Sequence, residues 1–169
     1  MKRLLVAALV AVVAGCAPPQ TETGAAAVVR GIYDVTQQNI GHSVTPIDAI
    51  PMTDDLKTLV DEAQAAATAR GEPFIEGDLA ANCQDCTSLT NLTIGPQAGP
   101  EPVPAAQGHT LLEARFKLNG NEDRAVIYDL VETPQGWRVD NILAEGFNLR
   151  TEAQSYLSTD TPSIEPPQP

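Results

Sequence analysis

The sequence predicts an α+β domain, and three observations carry the prediction. Apolar residues recur at three- and four-residue steps in the first half of the chain only. Strict apolar/polar alternation is confined to the second half, and short Asn/Gly/Pro turn signals separate the alternating runs. Helices followed by an antiparallel meander is the α+β order.

Taking the elements in turn, Ala25 to Gln38 reads as a helix, because Val28, Val29, Ile32, Tyr33 and Thr36 fall on one face. Gly41 ends it, and Pro46 and Pro51 punctuate the loop beyond. A second helix starts at Thr53, an N-cap residue, with Asp54 and Asp55 complementing the helix dipole in the first turn. Its stripe is Leu56, Leu59, Val60, Ala63 and Ala67, and Arg70-Gly71 supplies the basic end and the stop. Phe74, Ile75 and Leu79 lead into a loop around Cys83 to Ser88, and a strand follows at Leu89 to Ile94. From Leu111 to Leu118 the residues Leu112, Ala114, Phe116 and Leu118 face one way, with Glu113, Arg115 and Lys117 on a wet face. Asn119-Gly120-Asn121 is a hairpin turn, since Asn and Gly tolerate positive φ. Arg124 to Val131 is the return strand, Pro134-Gln135-Gly136 a further turn, and Trp137 to Leu143 the last strand. Between the first two strands, Pro96 to Gly108 is a Pro/Ala/Gly loop with no structure of its own, of a length often functional or mobile.

Composition limits what such a domain does. The chain has 169 residues, room for one ordinary domain, and 43% are hydrophobic, enough for a packed core. Aromatics are only 4%, so that core rests on Val, Leu, Ile and Ala. Ten Lys+Arg against 22 Asp+Glu leave a net charge of −12, which argues against nucleic acid as a partner.

The first sixteen residues read as an export signal. Lys2 and Arg3 precede an apolar run, Leu4 to Val13, and then Ala14-Gly15-Cys16. The run is too short to span a bilayer, which takes about 20 apolar residues. Val13-Ala14-Gly15-Cys16 resembles the bacterial lipobox, which implies cleavage before Cys16 and acylation of its thiol. The mature chain then has 8 basic and 22 acidic residues, a net of −14, so lipid on Cys16 holds it to the membrane and its surface does not. Ala17 at the next position implies, by resemblance to Gram-negative sorting, an outer-membrane location facing the periplasm. The resulting organisation is 1–15 signal peptide, 16–24 lipidated Cys and flexible tether, 25–157 folded domain, and 158–169 disordered Pro-rich tail.

The order of several motifs resembles a family. Ile32-Tyr33 in the opening helix, Gln84-Asp85, Gly136-Trp137-Arg138-Val139-Asp140-Asn141-Ile142 and Asn148-Leu149-Arg150 resemble the exported bacterial domain-of-unknown-function 3828 family. That family is similar to the nuclear transport factor 2-like superfamily. The resemblance implies N-terminal helices packed on a curved antiparallel sheet, a cystatin-like or nuclear transport factor 2-like cone, over residues 25–157. It implies no established activity.

Candidate chemistry is sparse. Cys83-Gln84-Asp85-Cys86 has redox-motif spacing, yet an exported chain meets an oxidising medium, and lipidation of Cys16 leaves two thiols to pair. A structural disulfide is the preferred reading. Redox catalysis and a metal site remain alternatives, the first requiring an exposed Cys83 of depressed pKa, the second two further ligands where His42 and His109 are the only histidines. Both histidines read as surface residues beside loops, and no metal or cofactor is expected. There is no nucleophile elbow, phosphate loop, dinucleotide fingerprint, zinc-protease helix or calcium loop. If the cone holds, Tyr33, Asp85, Tyr128, Asp129, Trp137 and Asp140 are candidates for lining its pocket. Related cone folds include isomerases in which a carboxylate moves a proton and a Tyr hydroxyl binds an oxyanion. The alternative is that Tyr33 and Trp137 are core and the acids are solvated. The sequence therefore leans away from an enzyme. It points to a lipid-anchored envelope module that binds a protein partner or small ligand, with an acid/base enzyme built on Asp129 or Asp140 and Tyr33 as the alternative.

Overall fold

The computed structural model describes residues 24–98 and 102–158, so the predicted signal and lipobox, and nearly all of the predicted tether and Pro-rich tail, lie outside the described residues. Within them the chain forms α1 (Ala25–Asn39), a short 3-10 turn (Ile47–Ala49), α2 (Asp54–Arg70), β1 (Leu89–Gly95), β2 (His109–Leu118), β3 (Glu122–Thr133), β4 (Gly136–Ala144), β5 (Phe147–Asn148) and α3 (Leu149–Ser158).

The ends of α2 follow from local chemistry. The Thr53 hydroxyl accepts the Leu56 N–H, and Gly71 adopts the left-handed conformation. The Gly71 and Glu72 amides then donate to the Thr68 and Ala67 carbonyls, satisfying two of the last free acceptors of the helix. At the β2–β3 turn both Asn119 and Gly120 have positive φ (50° and 92°), which matches the strand twist. The Asn119 side-chain oxygen also accepts the Thr87 N–H and hydroxyl, tying this hairpin to the segment that follows the two cysteines.

The strands pair antiparallel in sequential order, β1-β2-β3-β4-β5. Their inward residues Ala114, Phe116, Leu118, Val126, Tyr128, Leu130, Val139 and Ile142 are buried, together with Val29, Ile32 and Tyr33 of α1 and Leu56, Val60, Ala63 and Ala67 of α2. Among the described residues, helices thus cover one face of the sheet and leave the other free of helix. Antiparallel sheets commonly keep such an open face.

This architecture is α+β as expected, but the cone is not formed. The strand order begins at β1 and ends at β5, and these two do not pair, so the sheet is open. The physical reason lies at its edges. β5 is two residues long and meets β4 only at Leu143 and Ala144, while Met52 occupies the same edge further along, beside Val139. At the opposite edge β1 carries a bulge around Asn91, whose φ is 56°. The two-residue β5 is too short a ladder to close the sheet, and the bulge interrupts the β1 edge.

Cys83 and Cys86 form a disulfide. The loop it closes is four residues long, so it removes little chain entropy, and reduction is expected to lower stability by about 2 kcal/mol or less. Urea denaturation with and without a reductant measures this directly.

Candidate functional site

Strand alternation decides which predicted residues meet. Tyr128 points into the core, so Asp129 points to the helix-free face. Tyr33 and Tyr128 are both fully buried, with their rings edge to face at 6.0 Å and Phe116 5.4 Å from Tyr33. The Tyr33 hydroxyl donates to the Ala80 carbonyl at 2.8 Å, whereas the Tyr128 hydroxyl has no hydrogen-bond partner among the described residues. Burial drives the pKa of both phenols above the usual range, most of all through loss of water around the charged form. These two tyrosines are core, and they sit on the opposite face of the sheet from Asp129. Trp137 is partly buried beside Gly24 at the start of α1, and Asp85 is exposed on the disulfide turn. The predicted carboxylate/tyrosine pocket is therefore not assembled.

Asp129 and Asp140 do come together, with a residue that sequence reasoning set aside. The His109 Nδ1 lies 2.7 Å from Asp129 Oδ1. Ligand atoms of His109, Asp129 and Asp140 all fall within 4.8 Å of one another. The β3–β4 register slips between Asp129 and Leu130, leaving Asp140 as the extra residue of a bulge. Bulges re-aim side chains, and this one brings Asp140 to Asp129. The Asp140 Oδ1 accepts from the Thr53 hydroxyl at 2.8 Å and from Arg150 Nη2 at 2.6 Å. The same Arg150 donates through Nε to the Asp140 carbonyl, joining the start of α3 to the bulge.

On the same face, next to this cluster, lies an open groove of about 610 Å³. Its floor includes Ala125, Ile127 and Leu143, and its rim carries Arg115, Lys117 and Arg124 beside the acids Asp123 and Glu145. Ile127 pairs with Leu143 across β3–β4, and Asp129 with Asn141 one inter-side-chain step along, so groove and cluster are contiguous. Val103 of the β1–β2 loop reaches the groove as well. The described residues of that loop form no helix or strand, as expected, but side-chain hydrogen bonds tie some of them down. Gln97 exchanges two hydrogen bonds with the Val103 backbone, and the Ala98 N–H donates to Glu113. Glu113, predicted to be wet, is consequently buried, with Arg115 Nε 2.8 Å from its carboxylate.

No protein-family model matches the chain, and no curated protein sequence does. Among solved structures, a phospholipid-binding protein from Ralstonia solanacearum, in complex with a phospholipid, is similar at 14% sequence identity, with 79% of this chain and 83% of that chain covered and a TM-score of 0.42. That overlap is too loose to transfer fold detail or a ligand. The resemblance to the domain-of-unknown-function 3828 family is corrected accordingly: no family model carries it, and the open sheet excludes the nuclear transport factor 2-like cone.

Proposed function

We propose that this chain is a lipid-anchored protein of the bacterial envelope, held through Cys16 at the outer membrane facing the periplasm, and that its domain is a non-catalytic binding module. The ligand is taken on the helix-free face of the sheet, in the groove over Ala125, Ile127 and Leu143. One observation carries this reading: the space between helices and sheet is filled by Tyr33, Tyr128 and their neighbours, while the open face holds a groove of about 610 Å³. That volume lies within the range of small-molecule sites.

The groove's chemistry sets the class of ligand. An apolar floor asks for a hydrocarbon. Three of the eight cations of the mature chain stand on its rim, in a protein whose net charge is otherwise strongly negative. An anionic single-chain amphiphile satisfies both. Arg115, Lys117 and Arg124 each already face an acid, Glu113, Asp123 and Glu122, so the anion competes for them and binding is of modest strength.

Titration of the mature domain with oleate, followed by calorimetry, tests the reading. The wild type is expected to bind one oleate, Ile127→Glu/Leu143→Glu to bind at least tenfold more weakly, and Tyr33→Phe to bind as the wild type does. A Cys16→Ser chain should leave the membrane fraction without losing oleate binding. Equal binding by the groove variant would overturn the assignment.

A further inference from the structure

We propose that His109, Asp129 and Asp140 form a site for a first-row divalent cation of the zinc type, a property separate from the groove reading. The three ligand atoms within 4.8 Å of one another come from three adjacent strands, so backbone pairing fixes their positions. Zinc bonds of about 2.0–2.2 Å to imidazole nitrogen and carboxylate oxygen would draw these three groups together, with the metal replacing the hydrogen bond between His109 Nδ1 and Asp129 Oδ1.

The surroundings suit ligation. A ligating carboxylate is normally held by hydrogen bonds from outside the metal's own ligands. Asp140 has this support on one oxygen only, from Thr53 and Arg150. Among the described residues no hydrogen bond reaches the other oxygen of Asp140 or of Asp129. Two carboxylates face one guanidinium here, so a negative charge remains for a cation to neutralise. The side chains of His109, Asp129 and Asp140 are 22%, 18% and 20% exposed, which leaves a path from solvent.

The donor set chooses among metals. One imidazole and two carboxylates suit zinc and its first-row neighbours. Calcium takes six to eight oxygens, more than this cluster offers. Three protein ligands leave at least one coordination position open.

The test uses the mature chain with its disulfide intact, stripped with a chelator and titrated with zinc chloride by calorimetry. One zinc per chain is expected, weakened at least tenfold by His109→Gln or by Asp129→Asn, and unchanged by Cys83→Ser/Cys86→Ser. Near-UV circular dichroism confirms that each variant is folded. Should a ligand variant not fold, cobalt(II) loading of the wild type decides: visible bands without thiolate charge transfer, displaced by zinc, are expected. No stoichiometric binding, binding that survives both ligand substitutions, or binding that needs the cysteines would overturn the proposal.

Discussion

Asp78→Ala is expected to lower stability by about 4 kcal/mol, out of the roughly 5–15 kcal/mol that holds a domain folded. Asp78 is buried, and its carboxylate gathers four donors. The Thr45 N–H and hydroxyl each approach Oδ2 at 2.6 Å, and the Ala80 and Ala81 N–H groups approach Oδ1 at 2.9 Å. Alanine leaves three backbone N–H groups without an acceptor in a site water enters poorly, at about 1–3 kcal/mol each. The damage spreads because Asp78 also pairs through its backbone with Cys83, and Ala80 receives the Tyr33 hydroxyl. Gly77 admits no substitute here, since an added Cβ would collide with the Cys83 carbonyl oxygen. Urea denaturation should show a large drop in midpoint with the slope unchanged. A loss below about 1 kcal/mol would mean that the carboxylate is not the organiser of this corner.

The second large effect is alkaline unfolding driven by Tyr33 and Tyr128. Both phenols are held protonated in the fold by burial, with pKa values raised above the ordinary value of 10.0. A raised folded pKa means that stability is fully present below the unfolded value and declines as pH rises past it. Above pH about 10 the unfolded chain releases two protons that the folded chain retains. Stability should then fall by about 2.7 kcal/mol per pH unit, two groups at about 1.36 kcal/mol each. Tyr33→Phe or Tyr128→Phe should halve that slope. At neutral pH the two substitutions diverge, since Tyr33→Phe strands the Ala80 carbonyl at a cost of about 1 kcal/mol or more, while Tyr128→Phe removes a hydroxyl with no partner among the described residues and is neutral or stabilising. In a Tyr156→Phe background, which removes the third tyrosine of the chain, tyrosinate absorbance should appear only with unfolding. Reversible ionisation of both phenols in the folded protein would contradict the buried placement.

Much of the fold was legible because it depends on nearby residues. Thr53 and Gly71 bound α2 through caps that act within one turn, and the alternation from Leu112 to Leu118 marks its own buried face. The helix α3 was not anticipated: only Leu149 and Ala153 of its ten residues are buried, too few to show a period. Closure of the sheet depends on the contacts of its two edges, which no local pattern encodes. The site was half legible. Alternation along β3 already separates Tyr128 from Asp129, so a pocket shared by both was never compatible with a strand. The hairpin at Asn119-Gly120 likewise sets the register that brings His109 opposite Val131, two residues from Asp129. The bulge that supplies Asp140 left no mark in the sequence, because nothing in its residue types distinguishes an extra strand residue from an ordinary one.

The central claim is that ligand meets the helix-free face of the sheet and not its interior. Methyl NMR during oleate titration separates the two faces, since neighbouring strand residues point opposite ways. Shifts are expected at Val103, Ile127 and Leu143, with Val126, Leu130 and Ile142 little changed. Shifts concentrated at Val126, Leu130 and Ile142, with Ile127 and Leu143 still, would place the ligand beneath the helices and contradict the account.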